Sequence, residues 1–169
     1  MTNNMELLAP AGNALAALAA YDAGADAIYA GLPKFNARER GENFSPEDMA
    51  KIIEHFHRGS RKVYVTLNTI VKQTELAEVA EYLAMLDEMR PDALIVQDLG
   101  ILRMMREFFP DLKIHASTQM GFHNSAGLAI ARKLGVRRVI LERQITMDEL
   151  RKLSGCGMEL EVFVHGALC

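Results

Sequence analysis

Seven short apolar runs recur along the chain, each followed by a longer stretch of helical period. They are ELLA (6–9), AIYA (27–30), VYVTL (63–67), ALIV (93–96), KIHAS (113–117), RVIL (138–141) and ELEVFVH (159–165). Strands that alternate with helices in this way pair in parallel, because each helix carries the chain back in a right-handed crossover. The helices have readable starts: Asn13, Ser45 with Pro46, Thr74 before an acidic turn, and the capping box TMDE (146–149). Gly24, Gly59, Gly135 and Gly155 fall where helices should stop and are expected to supply the positive φ of a C-cap.

Two architectures accommodate such a chain, an open doubly wound sheet and a (βα) barrel. No GxGxxG follows the first strand, where APAGN (9–13) stands instead, which argues against a dinucleotide fold. Side-chain alternation favours the barrel. Val63, Val65 and Leu67 share one face of the third strand and Tyr64, Thr66 and Asn68 the other, since side chains repeat every two residues. The fifth strand opposes Ile114 and Ala116 to His115, Ser117 and Gln119, and the seventh opposes Leu160, Val162 and Val164 to Glu161, Phe163 and His165. A parallel sheet covered by helices on both faces would be apolar on both. The fold expected is an incomplete parallel (βα) barrel of TIM type, with about seven of eight strands, whose aliphatic faces meet the helices and whose polar faces line the lumen.

With 169 residues, half of them hydrophobic, the chain suits one domain over 1–169. No apolar run approaches the roughly 20 residues that cross a bilayer, and two cysteines do not make a disulfide scaffold. A cytoplasmic protein with no membrane partner is expected. The net charge of −3 excludes a surface that is polycationic as a whole, so any contact with RNA needs a local basic patch.

Barrel sites form where strands end and the following loops begin. Those ends carry Asn68, Gln97 with Asp98, Ser117 to Gln119, Glu142 with Arg143, and His165 with Cys169. The connection GLPKFNARERGENF (31–44) is longer than the 2 to 6 residues such a turn needs. It sets Lys34, Arg38 and Arg40 beside Phe35 and Phe44, a mixture suited to gripping an anion and stacking on a ring, although Glu39 and Glu42 dilute its charge. Lys34, Arg38, Asn68, Asp98 and Gln119 are the candidate substrate-binding residues. Ser117, a histidine (His115 or His165) and Asp98 could form a hydrolytic triad, although no GxSxG elbow is present. If hydrolysis occurs, Glu142 or His165 is the expected base. A strand over 159–165 would hold Cys156 and Cys169 roughly 20 Å apart, too far for a disulfide. The methionines of MLDEM (85–89) and RMMREFF (103–109) read as core packing.

EVFVHGALC (161–169) resembles the signature of the peptidase U32 family of collagenase-like proteases: glutamate, any residue, phenylalanine, two residues, glycine, small, aliphatic, cysteine. ELLAPAG (6–12), GADAIYAG (24–31), FNAR (35–38), VYVTLNT (63–69), ALIVQDLG (93–100) and HASTQ (115–119) with Asn124 extend the resemblance over nearly the whole chain. It implies the catalytic barrel of a protease with a peptide substrate. The alternative it implies is an iron-sulfur-dependent factor that hydroxylates RNA or a ubiquinone precursor, with Cys169 matching the first of four cluster cysteines. A third reading is a non-catalytic barrel that binds RNA or protein through the 31–44 loop. Such proteins continue past this cysteine. The sequence is therefore expected to be a fragment that holds no cluster alone, is inactive by itself, and self-associates through the open edges of its barrel.

Overall fold

The structure, a computed structural model, describes residues 5–38 and 41–166. β1 (Leu8–Pro10), α1 (Ala14–Asp22), β2 (Ala27–Gly31), α2 (Pro46–Arg58), β3 (Lys62–Leu67), α3 (Leu76–Met89), β4 (Ala93–Val96) and α4 (Leu99–Phe108) alternate in chain order. β5 (Ile114–Ala116), α5 (Ser125–Lys133), β6 (Arg138–Ile140), α6 (Met147–Ser154) and β7 (Glu159–Glu161) continue the pattern. Every neighbouring pair of strands is parallel, in the order β1 to β7. The sheet curls until Glu6, just before β1, reaches Arg138 on β6. The result is an incomplete barrel of TIM type.

The helix starts follow from their caps. Asn13 Oδ1 accepts from Ala16 N at 2.8 Å, Ser45 Oγ from Asp48 N at 3.1 Å, and Thr146 and Glu149 exchange hydrogen bonds as a capping box. Thr74 differs: it lies inside a 3-10 turn (Gln73–Glu75), and α3 begins only at Leu76. Gly24 and Gly135 have the expected positive φ, 92° and 82°, whereas Gly59 and Gly155 have negative φ, −89° and −78°. At Gly59 the demand is close approach instead. A Cβ there would stand 2.2 Å from the Tyr21 hydroxyl, and the positive φ falls one residue later, on Ser60.

Alternation divides the interior in two. Val63, Val65 and Leu67 of β3 point outward into the main core with Met49, Phe56 and Leu83 from the helices, all fully buried. Each such side chain stabilises the fold by roughly 1.5–3 kcal/mol. The inward residues Ala27, Tyr64, Ala93, Ile95 and Ile140 form a smaller cluster in the lumen, with Leu8 and Tyr29 against it. The methionines pack as expected, with Met105 buried and Met85, Met89 and Met104 against the main core.

The seventh strand is shorter than the sequence suggests. It ends at Glu161 rather than at His165, and Val164 is 86% exposed, because no helix among the described residues covers that side. Leu160 and Val162 still pack outward on the main core. No helix of the described residues is long and apolar enough to cross a membrane.

Candidate functional site

A cavity of about 640 Å³ opens at the C-terminal ends of the strands, and all seven strands or the segments just after them contribute to its wall. Its floor is apolar, from Tyr29, Ile95 and Ile140, with Glu161 set among them. Its sides carry Thr66, Asn68, Ser117, Gln119, Glu142 and Arg143 from the strand ends, and Asn36, Arg38 and Asn43 from the long loop.

Asparagines order that loop. Asn36 is 3% exposed; its amide donates to Leu32 O and to Asn43 Oδ1, and its Oδ1 accepts from Arg38 N at 2.7 Å. Asn68 Oδ1 accepts from Ala37 N at 3.0 Å, tying the loop to the end of β3. Gly31 lets the three layers meet, since a Cβ there would stand 3.0 Å from Asn36, Asn43 and Thr66 alike. Phe35 and Phe44, expected to be available for stacking, are occupied in packing: Phe35 lies edge-on to Tyr82 at 5.4 Å and Phe44 is 2% exposed. Besides Tyr29 on the floor, the cavity carries the ring of Phe163, with the Arg143 guanidinium 4.3 Å from its centroid.

The cavity therefore brings together Arg38, Asn68, Ser117, Gln119 and Glu142. Three other candidates stand elsewhere. Lys34 pairs with Glu78 on α3. Asp98 caps α4, accepting from Gly100 N at 2.7 Å and Ile101 N at 3.0 Å, and takes a third bond from Val71 N. His165 is exposed beyond the end of β7 and does not line the cavity. Cys169 and Arg40 lie outside the described residues. Among the described residues no three His, Cys, Asp or Glu side chains converge as metal ligands, and Cys156 packs half-buried against the main core.

Ser117 is 3% exposed, and its hydroxyl engages Gln119 N at 3.3 Å and Gln119 Oε1 at 3.4 Å. No histidine nitrogen is among its partners, and His115 Nδ1 is buried with no partner among the described residues. The three members proposed for a triad are not assembled.

Below the cavity lies a partly buried charge network. Arg138 Nη1 donates to Glu6 Oε1 at 2.7 Å and to Glu161 Oε2 at 3.3 Å, and its Nε to Glu159 Oε2 at 3.3 Å. Tyr64 Oη also donates to Glu6 Oε1, at 2.7 Å, and Lys62 Nζ to Glu6 Oε2, at 2.6 Å. Burial alone would raise the Glu6 carboxyl, but the bonds from Arg138, Lys62 and Tyr64 overrule it and hold the group at about 2. Burial, then the Arg138 charge, pushes His115 down to about 3, so its imidazole is neutral. Burial and the Glu6 carboxylate push the Tyr64 phenol up. Burial raises the Glu161 carboxyl against the opposing pull of Arg138.

The model of peptidase family U32 matches residues 12–169. The tRNA hydroxylation protein P of Escherichia coli is 38% identical over 97% of this chain and 37% of its own length. An uncharacterized protease of Methanocaldococcus jannaschii is 37% identical over 98% of this chain and 41% of its own. The 23S rRNA 5-hydroxycytidine C2501 synthase of Escherichia coli is 37% identical over 99% of this chain and 25% of its own. The chain thus spans well under half the length of these relatives. Among solved structures, the U32 peptidase Mk0906 superposes with a TM-score of 0.77 over 96% of this chain and 70% of its own, at 10% identity. A 2,3-dimethylmalate lyase superposes at 0.65, at 17% identity, over 97% of this chain and 69% of its own. At such identities the superpositions speak for the barrel alone, and kinship rests on the family match across nearly the whole sequence: the chain belongs to the peptidase U32 family.

Proposed function

We propose that this chain supplies the substrate-binding barrel of an RNA-hydroxylating protein, seating one unstacked nucleobase in the cavity at the C-terminal ends of its strands. The observation that carries this reading is the cavity itself, about 640 Å³ with an apolar floor and a wall of amides, carboxyls and an arginine over an aromatic ring. A base inside a folded RNA must leave its stack before an enzyme can act on its ring. A pocket of this kind receives it: flat apolar surfaces take the ring faces, and Asn68, Gln119 and Glu142 offer donors and acceptors to its edge. Arg38 and Arg143 stand where they can meet a flanking phosphate.

The names of the relatives support the same direction, since those from Escherichia coli are a tRNA hydroxylation protein and an rRNA hydroxycytidine synthase. The cluster-ligand role that the family implies for Cys169 belongs to the same proposal. Hydrolysis has less support, because Ser117 is tied to Gln119 rather than to a base. Among the described residues the outer edges of β1 and β7 pair with no further strand, which, with Leu15 of α1 at 78% exposure, supports self-association of this chain, to be read by sedimentation.

A chimera tests the reading. This chain replaces the matching segment of the Escherichia coli tRNA hydroxylation protein P in a strain lacking that protein, and tRNA nucleosides are examined by mass spectrometry. A nucleoside heavier by one oxygen atom is expected. A folded, expressed chimera that leaves tRNA unmodified would refute the proposal.

A further inference from the structure

Among the groups facing the cavity, one is held at a structural loss. Glu161 lies on the floor with its side chain 16% exposed. Its only side-chain hydrogen bond among the described residues runs from Arg138 Nη1 to Oε2, at 3.3 Å, and none of them reaches Oε1. Arg138 does not depend on that bond. Glu6 already receives the same Nη1 at 2.7 Å, and Glu159 takes Nε. Burying a carboxyl costs free energy that a single long hydrogen bond does not return. The direction of the Glu161 titration says the same, with burial outweighing the arginine. A group that the fold keeps against its own stability belongs to function.

We infer that Glu161 is the ligand-contacting carboxyl of this cavity, reading the N–H edge of a pyrimidine ring through Oε1, and that Arg138 is the positioning residue that fixes its direction. The inference rests on the base-binding reading and deepens it. Arg138 is itself immobilised by Glu6 and Glu159, so the Glu161 carboxyl is aimed from below by a guanidinium that cannot swing. Ile95 and Ile140, which line the same floor, offer apolar surface to the face of the ring. A carboxyl suits this edge because it accepts from ring or exocyclic N–H groups and, when protonated, also donates to a neighbouring carbonyl or ring nitrogen.

The test sets affinity against stability. The wild-type chain, E161Q and E6Q are titrated with cytidine and uridine 5′-monophosphates by ligand-observed NMR, and their melting temperatures are compared. E161Q is expected to melt no lower than wild type and to bind about 10- to 100-fold more weakly, the ratio supplied by a hydrogen bond to a charged group. E6Q is expected to melt well below both. Unchanged affinity in E161Q would overturn the inference while leaving the base-binding reading intact. A drop in melting temperature as large as that of E6Q would also overturn it, by making Glu161 a structural residue. Failure of the wild-type chain to bind either nucleotide would remove the base-binding reading, and the assigned ligand with it.

Discussion

Replacing His115 with phenylalanine should abolish a pH dependence that the wild-type fold carries in its lumen. His115 is 3% exposed, its ring stands 4.7 Å from that of Tyr64 at 63°, and its Nδ1 has no partner among the described residues. Burial and Arg138 hold it neutral in the native state down to about pH 3, whereas an unfolded chain takes up the proton near its ordinary value of 6.5. Between those values the unfolded state binds more protons than the native one, so stability is lost as pH falls from 6.5 toward 3. Glu6, at about 2 in the fold against 4.5 unfolded, loses its contribution only below about pH 4.5. Burial raises the Glu161 carboxyl above 4.5, so that group gains stability as pH falls through the same window, and it is the difference between wild type and H115F that isolates His115. With half of the unfolded imidazoles already protonated at pH 6.5, the two pH units at 1.36 kcal/mol each amount to about 2 kcal/mol, or roughly 5–10 °C in a chain of this length. Thermal unfolding followed by circular dichroism at pH 6.5, 5.5 and 4.5 reads it directly. The H115F ring keeps the edge-on contact with Tyr64 and has no titrating nitrogen, so its melting temperature should not fall over this window while that of wild type does. Parallel decline of the two proteins would refute the burial argument.

Three further outcomes follow from the same geometry. E6Q weakens the charge-assisted bonds from Arg138, Lys62 and Tyr64 and should destabilise the fold by on the order of 3 kcal/mol in urea denaturation. D98A removes the cap of α4 and should cost about 1–2 kcal/mol while leaving nucleotide affinity unchanged, as a residue outside the cavity requires. R143A takes one cation from the rim and should lower the slope of log affinity for single-stranded RNA against log salt by about 0.7, measured by fluorescence anisotropy.

The architecture was legible because period-2 alternation is a local property. Val63, Val65 and Leu67 do point to the helices and Tyr64 and Thr66 to the lumen, as the third run states on its own. Much of the cavity wall was legible for the same reason: Asn68, Ser117, Gln119 and Glu142 sit where strands end. What sequence could not show is the meeting of elements far apart in the chain. Glu6 and Arg138 are 132 positions apart and come together only because the sheet curls. In the sequence each only opens an apolar run and drew no reading of its own. Asp98 misled in the opposite sense, since an acid at a strand end is also an acid before a helix, and here the cap has it. Asn36 and Asn43 gave one signal, asparagine in a loop too long for its task. Phe35 and Phe44 drew attention in the same segment, but their rings are packed away.

The charges on the cavity bear on what it can hold. Arg38 and Arg143 are offset by Glu42, Glu142 and Glu161, so the wall has no excess of positive charge, and the chain as a whole is at −3. A phosphodiester drawn deep into such a space would meet more carboxylates than guanidiniums. A neutral ring would not, and it would gain from Tyr29, Ile95 and Ile140 beneath it. Depth and sign thus divide the labour: the rim arginines suit the backbone and the floor suits the base. It also follows that this barrel contributes little of the long-range attraction that gathers RNA onto a protein. If the cavity seats a base as proposed, discrimination in the pocket and capture of the polyanion are separate tasks, and the described strand ends supply groups for the first.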